Sequence, residues 1–546
     1  MSKIIINHLG FGFINENDKT VFIPKSNTNG ARSEDIVEYE IINSEDNIGN
    51  ITNIVHSKDN YYIVSHIWKK QYVLKNLDTF VKKQIYIDIS EFNFVIKDII
   101  RINNKNEIIE NLGQYYGIGR YAYLCKKYDI NRFIPEEDFE LNNIIDDRID
   151  LTNLNVFTID PTSSKDFDDA ISVRKEQDKY ILGIHIADVS YFIKPKSQLD
   201  MLARQKMNST YLNGLTIHML PSKLSNDICS LVPGQKRKTV SLEIEYNLAG
   251  ELINYKIQRT HIISKKRYTY DQVRKQIDNN NMDSNISLLY NLINILYPNI
   301  TTAYNLPCVH ISLNDLKKAT SIELEPYDMA HIMIEKCMII ANEIISNHLN
   351  KKNMIFPYRT HPAPSLEKLE KYRQSLNHSN NKMYQEISKI KSYSNAYYAI
   401  ENDGHYGLDI TKYCHFTSPI RRYIDIVIHR ILLNEYTYTT EELKEICKLS
   451  NEKEVASFKA ESELIEINKK ELIKESNEEL DMLILDVFRT GIKVQIIKYM
   501  LEHTIHISNL SKNRLLFDKD NKKLYNSEFD EEIKIGQIIK LGFITK

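Results

Sequence analysis

Residues 156–170 read VFTIDPTSSKDFDDA, an apolar lead-in (Val156, Phe157, Thr158, Ile159) followed by four aspartates within ten positions: Asp160, Asp166, Asp168 and Asp169. Two carboxylates about 6 Å apart at an effective dielectric of about 20 repel by roughly 3 kcal/mol. Several such pairs strain a domain whose net stability is only about 5–15 kcal/mol. Either the loop is splayed into water or a cation sits among the carboxylates. A calcium loop of the EF-hand type is excluded. Counted from Asp166, the fifth, sixth and twelfth positions are Ala170, Ile171 and Gln177, and a count from Asp160 fails at Thr162. A solvated acidic loop leaves unexplained the Ile- and Val-rich segments on both sides. Hard oxygen donors without cysteine or histidine suit Mg²⁺, with Mn²⁺ as a substitute. Two such ions bridged by aspartates are one solution for phosphodiester cleavage.

A second constellation lies about 250 residues later, in YCHFTSPIRRYIDIVIHRILLNEY, 413–436. Ser418 reads as an N-cap and Pro419 as the first helical residue. Ile420, Ile424, Val427, Ile428 and Ile431 then form one apolar stripe. This places Arg421 and Arg422 in the first turn, where the helix dipole disfavours cations by about 0.3–1 kcal/mol each. An anion there would be held by free backbone N–H groups and by guanidinium, with Asp425 placed to orient Arg421. On an isolated helix the same residues make an ordinary surface ion pair. Beside a four-aspartate loop, a phosphate clamp is the stronger reading.

At 546 residues several domains are expected. The formal charge of −2 is no bulk polycation, so a polyanion partner must be held by local basic clusters or by metal. The six cysteines (125, 229, 308, 337, 414, 447) include no C-x-x-C pair, which argues against zinc or a disulfide framework and for a reducing compartment. The opening MSKIIINHLG has too short an apolar core for a signal peptide, and no run of 18 apolar residues suggests a membrane span. Residues 1–55 read as short strands, with Phe11 and Phe13 on one strand face. They are either a base-stacking pair or two core phenylalanines. Residues 56–100 continue as a poorly defined β region. Residues 101–149 read as a polar, helical linker around IGRYAYLCKKYDI, helical patterns dominate about 326–475, and 480–546 returns to β with a polar insert at 511–532.

The two constellations resemble the signatures of the RNase II/RNase R family of 3′→5′ exoribonucleases, whose catalytic module is called RNB. The resemblance extends in family order through GIHIADVSYFI (183–193), YLNGLTIHMLPSKLSNDICSLVPGQKRKTVSL (211–242), RYTYDQV (267–273), MIEKCMIIANEII (333–345) and YRTHPAP (358–364). It implies a multidomain α+β protein. A central mixed α/β RNB catalytic domain over 150–475 would be flanked by OB-type β-barrels. These are a cold-shock-like barrel at 1–55, an abbreviated or divergent second OB-like region at 56–100, and an RNA-binding OB fold at 480–546.

The resemblance also implies roles. The family's catalytic aspartates fall on Asp160, Asp166, Asp168 and Asp169, and its phosphate-clamping arginine on Arg421. Asp160, Asp166 and Asp169 are expected to bind metal, and Asp168 to hold the second ion or orient the attacking water. Tyr211 matches the aromatic that clamps the 3′-terminal nucleotides, Tyr270 a tyrosine along the RNA path, and Glu335 a glutamate that fixes the terminal sugar. Arg422, Phe11 and Phe13 join the RNA-binding set. At Glu335 the family often has two glutamates, whereas this chain has Glu335-Lys336. Glu461, in KAESE, matches a late-helix glutamate, but Ser462 stands where an arginine usually follows. His185, His331, His415 and His429 read as structural, since hard-metal chemistry with aspartates does not need them. The implied activity is processive hydrolysis of single-stranded RNA to nucleoside 5′-monophosphates by a monomeric, cytoplasmic, Mg²⁺-dependent enzyme. The alternative is a catalytically silent RNA-binding relative, an adaptor in decay or translation, which would be expected to lose an aspartate or the arginine.

Overall fold

The computed structural model describes the chain except residues 1, 7–10, 17–18, 30, 32–34, 44–46, 57–59, 78–83, 104–106, 135–146, 300–305, 477, 512–513, 520, 527–530 and 543–546. Two compact units form. One comprises Met1–Lys127 with Asn314–Lys318, the other Tyr128–Leu313 with Ala319–Lys546.

In the first unit, strands Ser2–Ile6, Gly12–Glu16, Lys19–Ile23, Ile48–His56 and Ile36–Asn43 follow one another around a closed barrel. Ile4, Ile14, Val21, Ile23, Val37 and Ile51 fill it. Gly12 faces this core, where a Cβ would stand 2.6 Å from the Ile4 side chain. Because side chains alternate along a strand, Phe11 and Phe13 fall on the opposite face and meet Phe22 at 5.6 Å each. The core alternative for these phenylalanines is therefore corrected: they form a half-buried aromatic patch outside the barrel.

A five-stranded sheet follows, in the order Ile108–Gln114, Asp98–Ile102, Asn60–Trp68, Gln71–Asn76, Gln84–Asp88. Its core holds Tyr62, Val64, Tyr72, Leu74, Ile100 and Ile102. The expected boundary at 100 thus cuts a strand, and the expected helical linker contains a strand as well as the helix Arg120–Lys127. Ile108–Gln114 is a sheet-edge strand of sequence IIENLGQ, with only three apolar side chains and partly exposed, and its pairing with Asp98–Ile102 makes it β. Part of the linker, 135–146, lies outside the described residues.

The second unit is built on a six-stranded sheet. Its strand Leu252–Thr269 pairs in parallel with Val156–Asp160 through its later half and antiparallel with Lys236–Asn247 through its earlier half, so the sheet curls upon itself. Buried isoleucines, valines and leucines of these strands share one core with the helices Met329–Lys351 and Tyr423–Leu432 and the early part of Thr440–Ser476. After that 37-residue helix, strands Glu479–Phe488, Gly491–Ile496, Leu501–His506 and Ile538–Gly542 form a sheet. A three-stranded sheet (Leu516–Asp518, Lys523–Asn526, Glu531–Lys534) shares its core through Leu524 and Ile535. The expected polar insert therefore carries strands of its own, with 512–513, 520 and 527–530 outside the described residues. Among the described residues no helix is long and apolar enough to cross a membrane.

Candidate active site

Strand Val156–Asp160 is buried up to its last residue, so its apolar side chains fix where Asp160 emerges. The loop that follows is anchored. The Phe167 N–H donates to Ser230 Oγ (3.0 Å), Ser230 Oγ donates to the Lys165 carbonyl (2.7 Å), and Leu231 N–H donates to the Phe167 carbonyl (3.0 Å). Phe167 is 4% exposed. Arg267 donates to the carbonyls of Pro161 (2.8 Å) and Thr162 (2.9 Å) and lies 4.9 Å over the Phe167 ring. These contacts fix the loop, in which Asp168 is buried and Asp160, Asp166 and Asp169 are half-buried. Arg267 stood inside the RYTYDQV segment, yet nothing in the local sequence marked it as the loop's brace.

Enclosure outweighs the neighbouring guanidinium charge and raises the carboxyl pKa values. Desolvation, and then the neighbouring Asp169 carboxylate, pushes Asp160 up to about 7, against a smaller opposing pull from Arg267. Asp169 rises to about 6 through desolvation, opposed by Arg421 and Arg422. Asp168 is raised by burial, opposed by Arg421 and by the Ile420 N–H. That N–H donates to Asp168 Oδ1 at 2.7 Å, while Arg421 Nε stands 3.4 Å from Oδ2. Buried oxygens Asp160 Oδ2 and Asp168 Oδ2 have no hydrogen-bond partner.

These oxygens without a hydrogen bond, the raised pKa values and the all-carboxylate donor set fit a hard divalent cation. Among the described residues no three acidic, histidine or cysteine side chains converge into a ready-made cage, so a cation would have to draw the carboxylates together.

Arg421 and Arg422 do not sit in a helical turn capped by Ser418. The helix begins at Tyr423, with Arg422 extended at the N-cap position. Ser418 to Arg422 form a separate turn, closed by Arg422 N–H to the Ser418 carbonyl (3.0 Å). The reason is Asp425, fully buried, which accepts from Ser418 N–H (2.8 Å) and from Arg422 Nη2 (2.7 Å). With its N–H so engaged, Ser418 uses its hydroxyl to accept from Arg421 Nη2 (3.0 Å). Asp425 therefore orients Arg422, where the sequence had it orient Arg421. Arg422, expected among the RNA-binding residues, is committed to this ion pair, whereas Arg421 keeps 47% of its side chain exposed.

The remaining candidates arrive from other elements. Thr210–Leu212 carries Tyr211, whose hydroxyl donates to Asp166 Oδ2 (2.6 Å) and whose N–H donates to Glu461 Oε1 (2.7 Å). Glu461, with Ser457 one turn earlier bonded to Asn208 and Thr210, fixes this strand to the helix Thr440–Ser476. Tyr270 opens the helix Tyr270–Asp278 directly after Thr269, which is in register with Asp160. Its ring stacks on His331 at 4.0 Å, and His331 stacks on Tyr327 at 5.3 Å. The Tyr327 hydroxyl donates to Glu335. Tyr327 was not singled out from sequence; it shares Glu335 with Lys336, whose Nζ lies 3.1 Å from Oε1. His185 lies between Ser172 (2.9 Å) and Ser241 (2.7 Å), held neutral by burial at about 3. His415 pairs with Tyr398 and His429 with the Phe416 carbonyl. Phe11 and Phe13 belong to the first unit.

The family model described as "RNB domain" matches residues 148–438. The chain is 33% identical over 392 residues to Ribonuclease R of Chlamydia trachomatis, covering 66% of this chain and 56% of that protein. It thus spans little more than half the length of such curated relatives. Among solved structures, Mycoplasma genitalium RNase R in complex with ribose-methylated single-stranded RNA superposes with a TM-score of 0.83 at 23% identity, covering 99% of this chain and 97% of that one. Yeast Ssd1, described as a pseudonuclease, superposes with a TM-score of 0.74 at 17% identity over 96% of this chain and 81% of that one.

Proposed function

Because this chain belongs to the RNB-domain family, we propose that it is a 3′→5′ exoribonuclease that hydrolyses single-stranded RNA processively to nucleoside 5′-monophosphates, acting as a cytoplasmic monomer. The observation that carries the reading is the juxtaposition of carboxylates Asp166 and Asp168 with Arg421 and the Tyr211 hydroxyl, residues drawn from positions 166 to 421. Asp160, Asp166 and Asp169 would hold Mg²⁺, which would supply activation of the attacking water and neutralisation of the leaving oxygen. Asp168 orients that water and steadies Arg421 through the 3.4 Å contact. The exposed Arg421 guanidinium meets the scissile phosphate and offsets charge as it develops. Tyr211 and Tyr270 offer rings to the terminal bases, Glu335 an acceptor to the terminal sugar, and Phe11 and Phe13, in the first unit, a patch on which RNA bases can stack.

The second reading, a silent RNA-binding protein, is favoured by the likeness to a pseudonuclease and by carboxylates that do not already form a cage. Against it, all four aspartates and Arg421 are present. One assay separates the two. A 5′-labelled single-stranded RNA incubated with and without Mg²⁺, beside a DNA of the same sequence, should shorten from its 3′ end only with metal and only as RNA. Bound but uncut RNA at every metal concentration would establish the silent reading instead.

A further inference from the structure

Asp166 stands at the meeting point of two demands. It is one of the carboxylates proposed to hold the cation, and its Oδ2 already accepts the Tyr211 hydroxyl at 2.6 Å. A tyrosine hydroxyl, with an ordinary pKa of about 10, carries its proton at neutral pH. It is therefore a permanent donor. A hydrogen bond of this length to a carboxylate belongs to the charge-assisted class, and it fixes the rotation of the Asp166 side chain. The Tyr211 backbone is held separately by Glu461, so the ring can swing about its side-chain torsions while the strand stays put. The residue is 39% exposed while its hydroxyl is held on Asp166.

We propose that the Tyr211 hydroxyl competes with the divalent cation for Asp166, so that the residue is a latch coupling metal loading to capture of the RNA 3′ end. With the hydroxyl on Asp166, the carboxylate is turned toward tyrosine and the ring is tethered. When a cation takes Asp166, the tether is lost and the ring is free to stack on the terminal base. By thermodynamic reciprocity, a base that draws the ring away leaves Asp166 available, so RNA and metal strengthen each other's binding. The inference rests on the reading of the aspartates as a metal site. It adds to the expected stacking role of Tyr211 a separate role for its hydroxyl.

Tyr211→Phe removes the hydroxyl and keeps the ring. Mn²⁺ binding to the full chain without RNA, followed by electron paramagnetic resonance, should be about tenfold tighter in the variant, the weight of one charge-assisted hydrogen bond. With a phosphorothioate oligoadenylate that resists cleavage, the gain in Mn²⁺ affinity caused by RNA should be at least about threefold smaller in Tyr211→Phe than in the wild type. Tyr211→Ala, which also lacks the ring, should bind Mn²⁺ as tightly as the phenylalanine variant but hold the oligonucleotide less well. Unchanged or weaker Mn²⁺ binding in Tyr211→Phe overturns the latch, with weaker binding meaning that the hydroxyl helps build the metal site. A wild-type protein that binds no Mn²⁺ refutes the metal site itself, an outcome distinct from failure of the latch.

Discussion

Asp425→Asn tests whether the turn that presents Arg421 is held by a buried charge. Asp425 is fully enclosed, and its Oδ1 accepts from Ser418 N–H at 2.8 Å and from Arg422 Nη2 at 2.7 Å. Removing one partner of a buried ion pair typically costs about 3–5 kcal/mol, because the other charge is left unpaired. Two features reduce that here: Arg422 keeps 22% of its side chain in solvent, and the asparagine amide oxygen can still accept from Ser418. The expected loss is therefore about 2–3 kcal/mol, with Asp425→Ala nearer the full cost. A chain of two units does not unfold in one transition, so the assay needs a reporter for each. Trp68, the sole tryptophan, lies in the first unit, so its fluorescence during urea denaturation serves as an internal reference. Far-UV circular dichroism follows the helix-rich second unit, whose transition should move to lower urea. The variant should also hydrolyse RNA more than tenfold more slowly at saturating substrate, since a displacement of about 1 Å in a positioning group can cost roughly a hundredfold. A stability change below about 0.5 kcal/mol with full activity would refute the reasoning and leave the buried pair with no more weight than an exposed one.

Asp168→Asn preserves shape and an acceptor for the Ile420 N–H but removes charge from the centre. Hydrolysis should collapse while RNA affinity, measured by filter binding, holds or rises. Arg421→Lys keeps the charge and loses the planar fork; single-turnover rates should fall at least about tenfold, or about 1.4 kcal/mol of barrier, with stability unchanged. A pH series without metal probes the enclosed carboxylates. A carboxyl whose folded pKa is raised, as for Asp160 (about 7) and Asp169 (about 6), adds stability at low pH that is lost as pH climbs through these values. Asp160→Asn should therefore be more stable than the wild type at pH 8 in EDTA, with the difference shrinking toward pH 4. Mg²⁺ should stabilise the wild type more at pH 8 than at pH 5, as read by differential scanning calorimetry.

The sequence alone determined the elements whose information is local. Asp160 follows four apolar or β-branched residues, so its place at a strand end was legible, and the long shared motifs located the central domain and nominated Asp160, Asp166, Asp168, Asp169 and Arg421. Where strand-like and helical patterns dominate was likewise readable, while the α+β architecture with β-barrel ends came from the family resemblance. Tertiary structure decided which of the nominated residues meet, and through which atoms. Tyr211 reaches Asp166 across 45 positions, Glu461 reaches Tyr211 across 250, and Ile420 reaches Asp168 across 252. No local period encodes such pairings, because they depend on how a curled sheet and a 37-residue helix pack. The same holds for the arginine pair. Arg421 and Arg422 are equivalent as neighbours in sequence, and only the buried Asp425 carboxylate, by claiming one guanidinium, leaves the other facing solvent. A strand such as Ile108–Gln114 is β only because a neighbour supplies its hydrogen bonds. Backbone pairing and charge burial are energies between distant segments, so they become readable only once the chain has folded.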